Sequence, residues 1–463
     1  MMLAKNIFKA YDIRGIYEEE LSINAIKLIA KSLSHLFPEN NDTIIVGRDG
    51  RNSSSKISET LIESFLENGK NIINVGEVPT PLVYFARNYL NLNSCVMVTG
   101  SHNPKNYNGL KIFMDGHTLS GGEIIEIYDF ILRDSYSKLQ FAKTTYKEIN
   151  LKNEYISQII KNISIINKKK IAVDAGNGVA GPIAIETYKK LGFDVVDLYC
   201  DIDGDFPNHH PNPSDPKNLE ALADTVKNGN CDLGIAFDGD GDRCLILDNL
   251  GNIIWPDKQM MLFSSEILSK NKNCKIIFDV KSSAHLPKVI RDNGGIPIMS
   301  RTGHSFIKKK ISETNAILAG EMSGHIFFND KWYGFDDGIY SGARILEIIS
   351  KNNNPSHEIF DSFPKSFVTP EINIEVNKDG IQHDFMKKFI NTARFEDAKI
   401  ITIDGLRAEF KDGWGLLRAS NTTSCLVMRV EAESKRRLLE IKDKFFQQIK
   451  KIDPKIEIPN EEK

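Results

Sequence analysis

Lys170-Ile171-Ala172-Val173-Asp174 opens the stretch whose reading decides the fold, and Asp232-Leu233-Gly234-Ile235-Ala236-Phe237 closes it. Each is a short apolar run bounded by polar residues, the pattern of a strand buried on both faces. Between them lie an amphipathic stretch at 182–191, an apolar run at 194–198 and a second amphipathic stretch at 217–228. Strand alternating with helix predicts a parallel or mostly parallel sheet covered by helices. The alternation also precedes this stretch, with strands at 43–47, 71–75 and 94–98 and helices at 54–68 and 81–89. It returns after it, with strands at 275–279, 296–300 and 316–319 and helices at 284–292 and 305–313. Beyond that the pattern changes: strands at 371–376, 399–403 and 426–430 and helices near 383–391 and 434–450 predict a smaller α+β unit. The fold class is read as α/β in four domains, 1–147, 148–251, 252–364 and 365–463. The first three are related α/β units with mixed sheets.

The 463 residues are long enough for several cores at ~150 residues per domain. With 41% hydrophobic residues, 26% charged and a net charge of −3, the chain reads as an ordinary globular protein. Such a charge draws neither nucleic acid nor an anionic membrane, so an anionic ligand would need a local basic cluster. The six cysteines are scattered without a CxxC pair, as free thiols in a reducing compartment. No apolar run reaches the ~18 residues needed to span a bilayer, and 1–11 lacks the apolar core of a signal peptide. The expected location is the cytoplasm.

Polar, glycine-rich loops follow the strands ending at Val98, Phe237 and Ala319. Ligands of open α/β sheets sit at the carboxyl ends of strands, so the three loops are expected to face one cleft. Asp238-Gly239-Asp240-Gly241-Asp242-Arg243 sets three carboxylates on alternate residues. Packed together they repel unless a cation lies among them, and hard oxygen ligands suit Mg²⁺. The loop is no EF-hand, because Arg243 and Asn249 stand where that motif needs Gly and Glu. Thr99-Gly100-Ser101-His102-Asn103-Pro104 holds Ser101 in a Gly/Pro-bounded turn. Asn103 replaces the second glycine of a hydrolase elbow, and neighbours in an extended chain point opposite ways, so Ser101 and His102 do not read as a triad pair. A serine without a dedicated base suits a phosphate carrier, whose two charges a divalent cation can balance; alone, it reads equally as a turn or capping serine. In Gly320-Glu321-Met322-Ser323-Gly324-His325 a carboxylate and a hydroxyl two residues apart can chelate adjacent sugar hydroxyls. Arg418-Ala419-Ser420-Asn421-Thr422-Thr423 offers a guanidinium, hydroxyls and turn amides for a phosphate. Taken singly, both also read as plain polar turns or caps.

A competing pattern is Gly176-Asn177-Gly178-Val179-Ala180-Gly181, after a strand and before a helix, with Asp197 further on. This is the dinucleotide-binding spacing and the best case for an NAD-linked oxidoreductase. Asp174 beside it would repel a pyrophosphate, so the glycines are read as turn and close-packing residues. His209-His210, flanked by prolines, is read as a rigid surface loop, and Cys244 as core.

Together, these loops resemble the α-D-phosphohexomutase superfamily, in its bacterial phosphomannomutase/phosphoglucomutase branch. The motifs run in order through Tyr11-Asp12-Ile13-Arg14-Gly15, Gly47-Arg48-Asp49, Pro79-Thr80-Pro81 and the loops above. The resemblance implies four domains around a central cleft. It implies a phosphoserine at Ser101 and Mg²⁺ held by Asp238, Asp240, Asp242 and a phosphoserine oxygen. Tyr11, Arg14 and Lys111 match residues near the moving phosphate, with Arg243 beside the metal loop and His102 and His325 flanking the reaction centre. Lys281 and His304 match substrate contacts, Glu321 and Ser323 the pair holding O3 and O4, and Arg418, Ser420, Asn421 and Thr422 the grip on the stationary phosphate.

The implied reaction interconverts hexose 1-phosphate and hexose 6-phosphate through a hexose 1,6-bisphosphate, with glucose or mannose 1,6-bisphosphate as activator. Holding O3 and O4 leaves O2 unread, so glucose and mannose are both expected as substrates. Met322, in place of Gln or Thr, favours this branch over the alternative, a phosphoglucosamine mutase. The general base stays open among His325, Lys111 and His102. The fourth domain is expected to close over bound sugar, and the protein to be a monomer or homodimer.

Overall fold

The computed structural model describes residues 3–38, 42–134, 136, 143–376, 380–420 and 424–459. Four sheets follow one another along the chain. The first has the order Ile13–Ile16, Tyr107–Met114, Cys95–Val98, Thr43–Arg48, Asn71–Glu77, Tyr146–Glu148, with His117–Thr118 paired off Tyr107–Met114. The second runs Ile253–Ile254, Cys244–Asp248, Leu233–Phe237, Lys170–Asp174, Asp194–Leu198, and the third Ile296–Ser300, Lys275–Asp279, Leu318–Gly320, Ile326–Phe328.

One arrangement recurs in these three. A buried strand parallel to its neighbour ends in a loop, and the chain returns antiparallel beside it. Cys95–Val98 returns as Tyr107–Met114, Leu233–Phe237 as Cys244–Asp248, and Leu318–Gly320 as Ile326–Phe328. A connection this short cannot make a parallel crossover, so each sheet is mixed rather than wholly parallel. The serine, aspartate and Glu321 loops therefore occupy equivalent places in three units.

The first three units are welded by one apolar cluster that includes Ile45, Phe85, Tyr188, Ile235, Phe278 and Phe328. Helix Gly338–Ser350, buried at every residue, packs on Leu233–Phe237, Cys244–Asp248 and Ile326–Phe328. Its start is fixed by Asp337, which accepts from Tyr340 N–H at 2.9 Å, from Trp332 Nε1 at 3.1 Å and from the Tyr155 hydroxyl at 2.8 Å. Replacing Asp337 by Ala should destabilise the protein by about 3–5 kcal/mol, since a cap is lost and two buried donors are left unpaired. A lowered urea midpoint with turnover retained in the remaining folded fraction is the expected result.

The fourth sheet is antiparallel, in the order Phe367–Val368, Cys425–Ala432, Gly413–Ala419, Leu406–Phe410, Lys399–Ile401, with Ile372–Glu375 also on Cys425–Ala432. Its core with helices Ile381–Thr392 and Lys435–Ile452 is separate from the others. It meets the third unit through a small contact of Val280 with Trp414 and Leu416 and through Arg407, which donates to the carbonyls of Val280 and Ser282 at 2.6 and 2.8 Å. Among the described residues no helix is long and apolar enough to cross a membrane.

Candidate active site

Ser101 sits at the carboxyl end of strand Cys95–Val98 with φ +50°, in the left-handed region. Its N–H donates to Thr99 Oγ1 at 2.8 Å, and Thr99 in turn donates to Asp49 Oδ2 at 2.7 Å. Arg51, whose side chain has no exposed surface, gathers the loop: it donates to the carbonyls of Ser101, Asn103, Pro104 and Tyr107 at 2.6 to 3.0 Å. Gly100 is required here, because a Cβ would lie 2.6 Å from the Arg51 guanidinium carbon. The left-handed backbone turns Ser101 Oγ to 3.1 Å from His102 Nδ1. Neighbours in an extended strand would diverge, so this kink corrects the reading that the pair stays apart.

Across the seam, Asp238, Asp240 and Asp242 are buried without exposed surface, and a set of their oxygens lies within 4.8 Å of one another. Ser101 Oγ is 3.3 Å from Asp238 Oδ2. Gly239 lets the two loops meet, since a Cβ there would lie 2.5 Å from the Ser101 carbonyl oxygen. Lys111, on strand Tyr107–Met114, bonds Asp240 Oδ2 at 2.6 Å and also Asp242 Oδ2. Thr80 donates to Asp240 as well. Burial, with the charges of Asp242 and Asp240, raises the Asp238 carboxyl well above the usual carboxylate range. Burial pushes Asp240 the same way, but Lys111 overcomes it and holds Asp240 below that range. Lys111 itself is raised despite burial, by Asp240 and Asp242. Asp240 Oδ1 and Asp242 Oδ1 accept no hydrogen bond among the described residues. Three buried carboxylates with two orphaned oxygens and an all-oxygen donor set fit a hard divalent cation.

The remaining candidates line one cleft of about 740 Å³ with Ser101 at its floor. Tyr11, Arg14, His102 and Lys111 come from the first unit, Arg243 from the second, Lys281, His304, Glu321, Ser323 and His325 from the third, and Arg418 and Ser420 from the fourth. Asn421 and Thr422 lie outside the described residues. Arg14 donates to Asn103 Oδ1 at 2.6 Å and pairs with Asp12. Arg243 Nε donates to His325 Nε2 at 3.1 Å and lies 3.5 Å from Asp238. Burial, then the Arg243 and Arg14 charges, lowers His102 well below its ordinary value, so its ring is neutral. Tyr11 packs edge-on against His304, centroids 5.1 Å apart. Glu321 Oε1 accepts from Gly303 N–H at 2.5 Å, while Oε2 has no hydrogen-bond partner among the described residues. Burial, then the Asp279 charge, pushes its carboxyl up to about 7. At the far end Arg418 Nε donates to Asp404 at 3.0 Å, and Lys281 pairs with Glu371 at 2.8 Å.

Four participants were not singled out from the sequence. Arg51 carries no local signal beyond its place two residues after Asp49. Thr80 lay inside a quoted motif without a role. Asp336 stands 3.0 Å from His325 Nδ1 and 2.7 Å from Lys308, and only the tertiary fold brings these together.

The glycines at 176–181 pack against protein. A Cβ on Gly181 would lie 2.2 Å from the Cys200 carbonyl, and one on Gly178 2.9 Å from that of Gly239. Val179 N–H donates to Gly239 O, so this loop buttresses the aspartate loop and leaves no berth for a pyrophosphate. His209 is not a bare surface residue: it is half-buried and lies 3.0 Å from Asp174, tying its loop to the strand end.

The four family models for phosphoglucomutase/phosphomannomutase match this chain in order: alpha/beta/alpha domain I at residues 5–138, domain II at 153–251, domain III at 255–367 and the C-terminal domain at 371–448. A phosphoglucomutase of Neisseria meningitidis is 47% identical over 450 residues, covering 96% of each chain. A phosphomannomutase/phosphoglucomutase of Pseudomonas putida is 43% identical, over 99% of this chain and 98% of its own. The crystal structure of a phosphoglucomutase/phosphomannomutase family protein from Burkholderia thailandensis superimposes with a TM-score of 0.93 at 40% identity, covering 99% of this chain and 100% of that one. With a serine loop, an aspartate loop and two ligand-facing loops meeting in one cleft, and with relatives matched along nearly their whole length, this chain belongs to the phosphoglucomutase/phosphomannomutase family.

Proposed function

We propose that this protein interconverts the 1-phosphate and 6-phosphate of glucose and of mannose through a phosphorylated Ser101. The observation that carries the reading is the position of Ser101 Oγ: 3.3 Å from the buried aspartate cluster, in a cleft lined from all four units and by Arg14, Lys111 and Arg243. Asp238, Asp240 and Asp242 would hold Mg²⁺, which supplies positive charge beside the phosphoserine when bound. Arg14, Lys111 and Arg243 face the phosphoryl group as it leaves Ser101 for a sugar hydroxyl, and spread its charge. The hydroxyl's proton must pass to a base. Lys111 is held protonated by its two carboxylates and His102 faces Ser101 itself, so we assign His325, whose Nδ1 faces Asp336 and whose Nε2 would take the proton once the sugar hydroxyl displaces Arg243 Nε from it. The resulting 1,6-bisphosphate turns round, and its other phosphate returns to Ser101. The division of the chain at 147, 251 and 364 belongs to the same reading, as does closure of the fourth unit, whose separate core lets it move as a body.

Arg418 and Ser420 sit where the phosphate that stays put would lie. Arg418→Ala should raise KM for glucose 1-phosphate by about tenfold or more, with a smaller change in kcat; an unaltered KM removes the phosphate grip. Glu321 would accept the sugar's O3 and O4 hydroxyls. With its carboxyl near 7, it is neutral below and a better acceptor above. KM should therefore fall as pH rises through about 7, and the fall should vanish in Glu321→Gln. In the free protein the sign is opposite. Stability from this raised group is complete below its ordinary value of 4.5 and is lost as pH rises through about 7.

The test is a coupled assay with glucose 1-phosphate and mannose 1-phosphate, with and without a 1,6-bisphosphate activator. Both 6-phosphates are expected. Free phosphate released without isomerisation would make the protein a phosphatase and overturn the reading.

A further inference from the structure

We propose that the seam between the first and third units is a second ligand site, shaped for a nucleoside phosphate. A cavity of about 990 Å³ lies between strand His117–Thr118 with the start of helix Gly122–Arg133 and helix His304–Thr314. It shares no lining residue with the catalytic cleft. Phe113, Phe306, Tyr333 and Phe335 lie along its walls, Arg87 and Lys309 give it positive charge, and Lys308 on the same wall is paired with Asp336 at 2.7 Å. The Arg87 guanidinium already lies 4.2 Å over the Phe113 ring, which places cation and stacking surface side by side.

Two observations point to a ligand rather than a leftover gap. Tyr84, Thr118 and Arg87 line the cavity, and the Tyr84 and Thr118 hydroxyls and Arg87 Nε, buried just behind its wall, have no hydrogen-bond partner among the described residues. Buried polar groups are nearly always paired, so the wall keeps hydrogen-bonding capacity that a small side-chain shift would present to a ligand. The mouth is open: Gly116 and Gly122 are exposed at its rim, and a Cβ on either or on Gly121 would meet nothing within 4 Å. The one carboxylate on the wall, Glu123, is taken up by His117 Nε2 at 2.5 Å and by Ser120 N–H at 3.0 Å, and so repels an anion less. Cations select an oxyanion, and the exposed Tyr333 ring, backed by Phe335, selects a planar partner to stack, which a sugar phosphate lacks.

The test is calorimetry on the full chain with ADP, adenosine and inorganic phosphate, in saturating glucose 1-phosphate. ADP is expected to bind despite the sugar phosphate, more tightly than adenosine or phosphate alone. Gly122→Phe fills the cavity where a side chain has room, and Lys309→Ala removes an exposed cation. Each should weaken ADP by about tenfold or more while thermal midpoint and mutase turnover stay put. No ADP binding at millimolar concentration overturns the proposal. So does displacement by glucose 1-phosphate, equal affinity in both variants, or phosphate binding as tightly as ADP.

Discussion

Ser101→Ala is expected to reduce turnover by at least about a thousandfold and to leave the fold as it is. The substitution removes one oxygen. It keeps the N–H bond to Thr99, the carbonyl bond to Arg51 and a backbone at φ +50° that alanine finds no harder than serine. Stability should change by less than about 1 kcal/mol. The oxygen removed is the one facing Asp238, so no phosphoryl group can be parked there. Mass spectrometry of the wild type after incubation with a hexose 1,6-bisphosphate should show a phosphoryl adduct on Ser101, and the variant none. Near-normal isomerisation by the variant would take the phosphoserine out of the mechanism.

Asp240→Asn is expected to separate catalysis from folding in the other direction. Asp240 is the carboxylate that Lys111 and Thr80 both address, and its second oxygen is unpartnered. An amide has the same shape but no charge, so affinity for Mg²⁺ should drop by about 10- to 100-fold and kcat by at least about a hundredfold. The metal-free protein should hardly suffer. Lys111 keeps Asp242, and the crowding that raises Asp238 is relieved by one negative charge. Activity against Mg²⁺ concentration, read beside thermal shift with and without the ion, checks both halves. A variant with the wild-type metal titration would show that the three carboxylates do not hold the ion together.

The strands that lead into the three loops were legible because each is an apolar run buried on both faces, 95–98, 233–237 and 318–320 within a residue or two of expectation. The fourth unit was half legible. Leu406–Phe410 and Gly413–Ala419 escaped notice because Arg407, Glu409 and Arg418 interrupt their apolar pattern. Arg407 is buried all the same, its guanidinium 3.8 Å over the Trp414 ring and bonded to carbonyls of the third unit. A charge satisfied by a distant partner reads as a surface residue until the partner is known. Helix Gly338–Ser350 was missed although Ser341, Arg344 and Glu347 recur every three residues along it; this polar stripe is buried like the rest of the helix. At the site, Arg51 was invisible because, besides its near neighbour Asp49, its partners are four carbonyl oxygens, which any sequence supplies.

Residue types and their short-range order settled which atoms this protein offers: a serine between glycine and proline, three aspartates spaced by glycine, a carboxylate and hydroxyl two apart, an arginine before a run of hydroxyls. These follow from local chemistry and needed no coordinates. That Ser101 turns on a left-handed residue to face Asp238, that Lys111 stands between two carboxylates and that Asp336 backs His325 was decided by packing alone. Each of those pairs joins groups far apart along the chain or depends on one backbone angle. Electrostatic interaction depends on separation and surrounding dielectric, and neither quantity exists until the units have closed on one another.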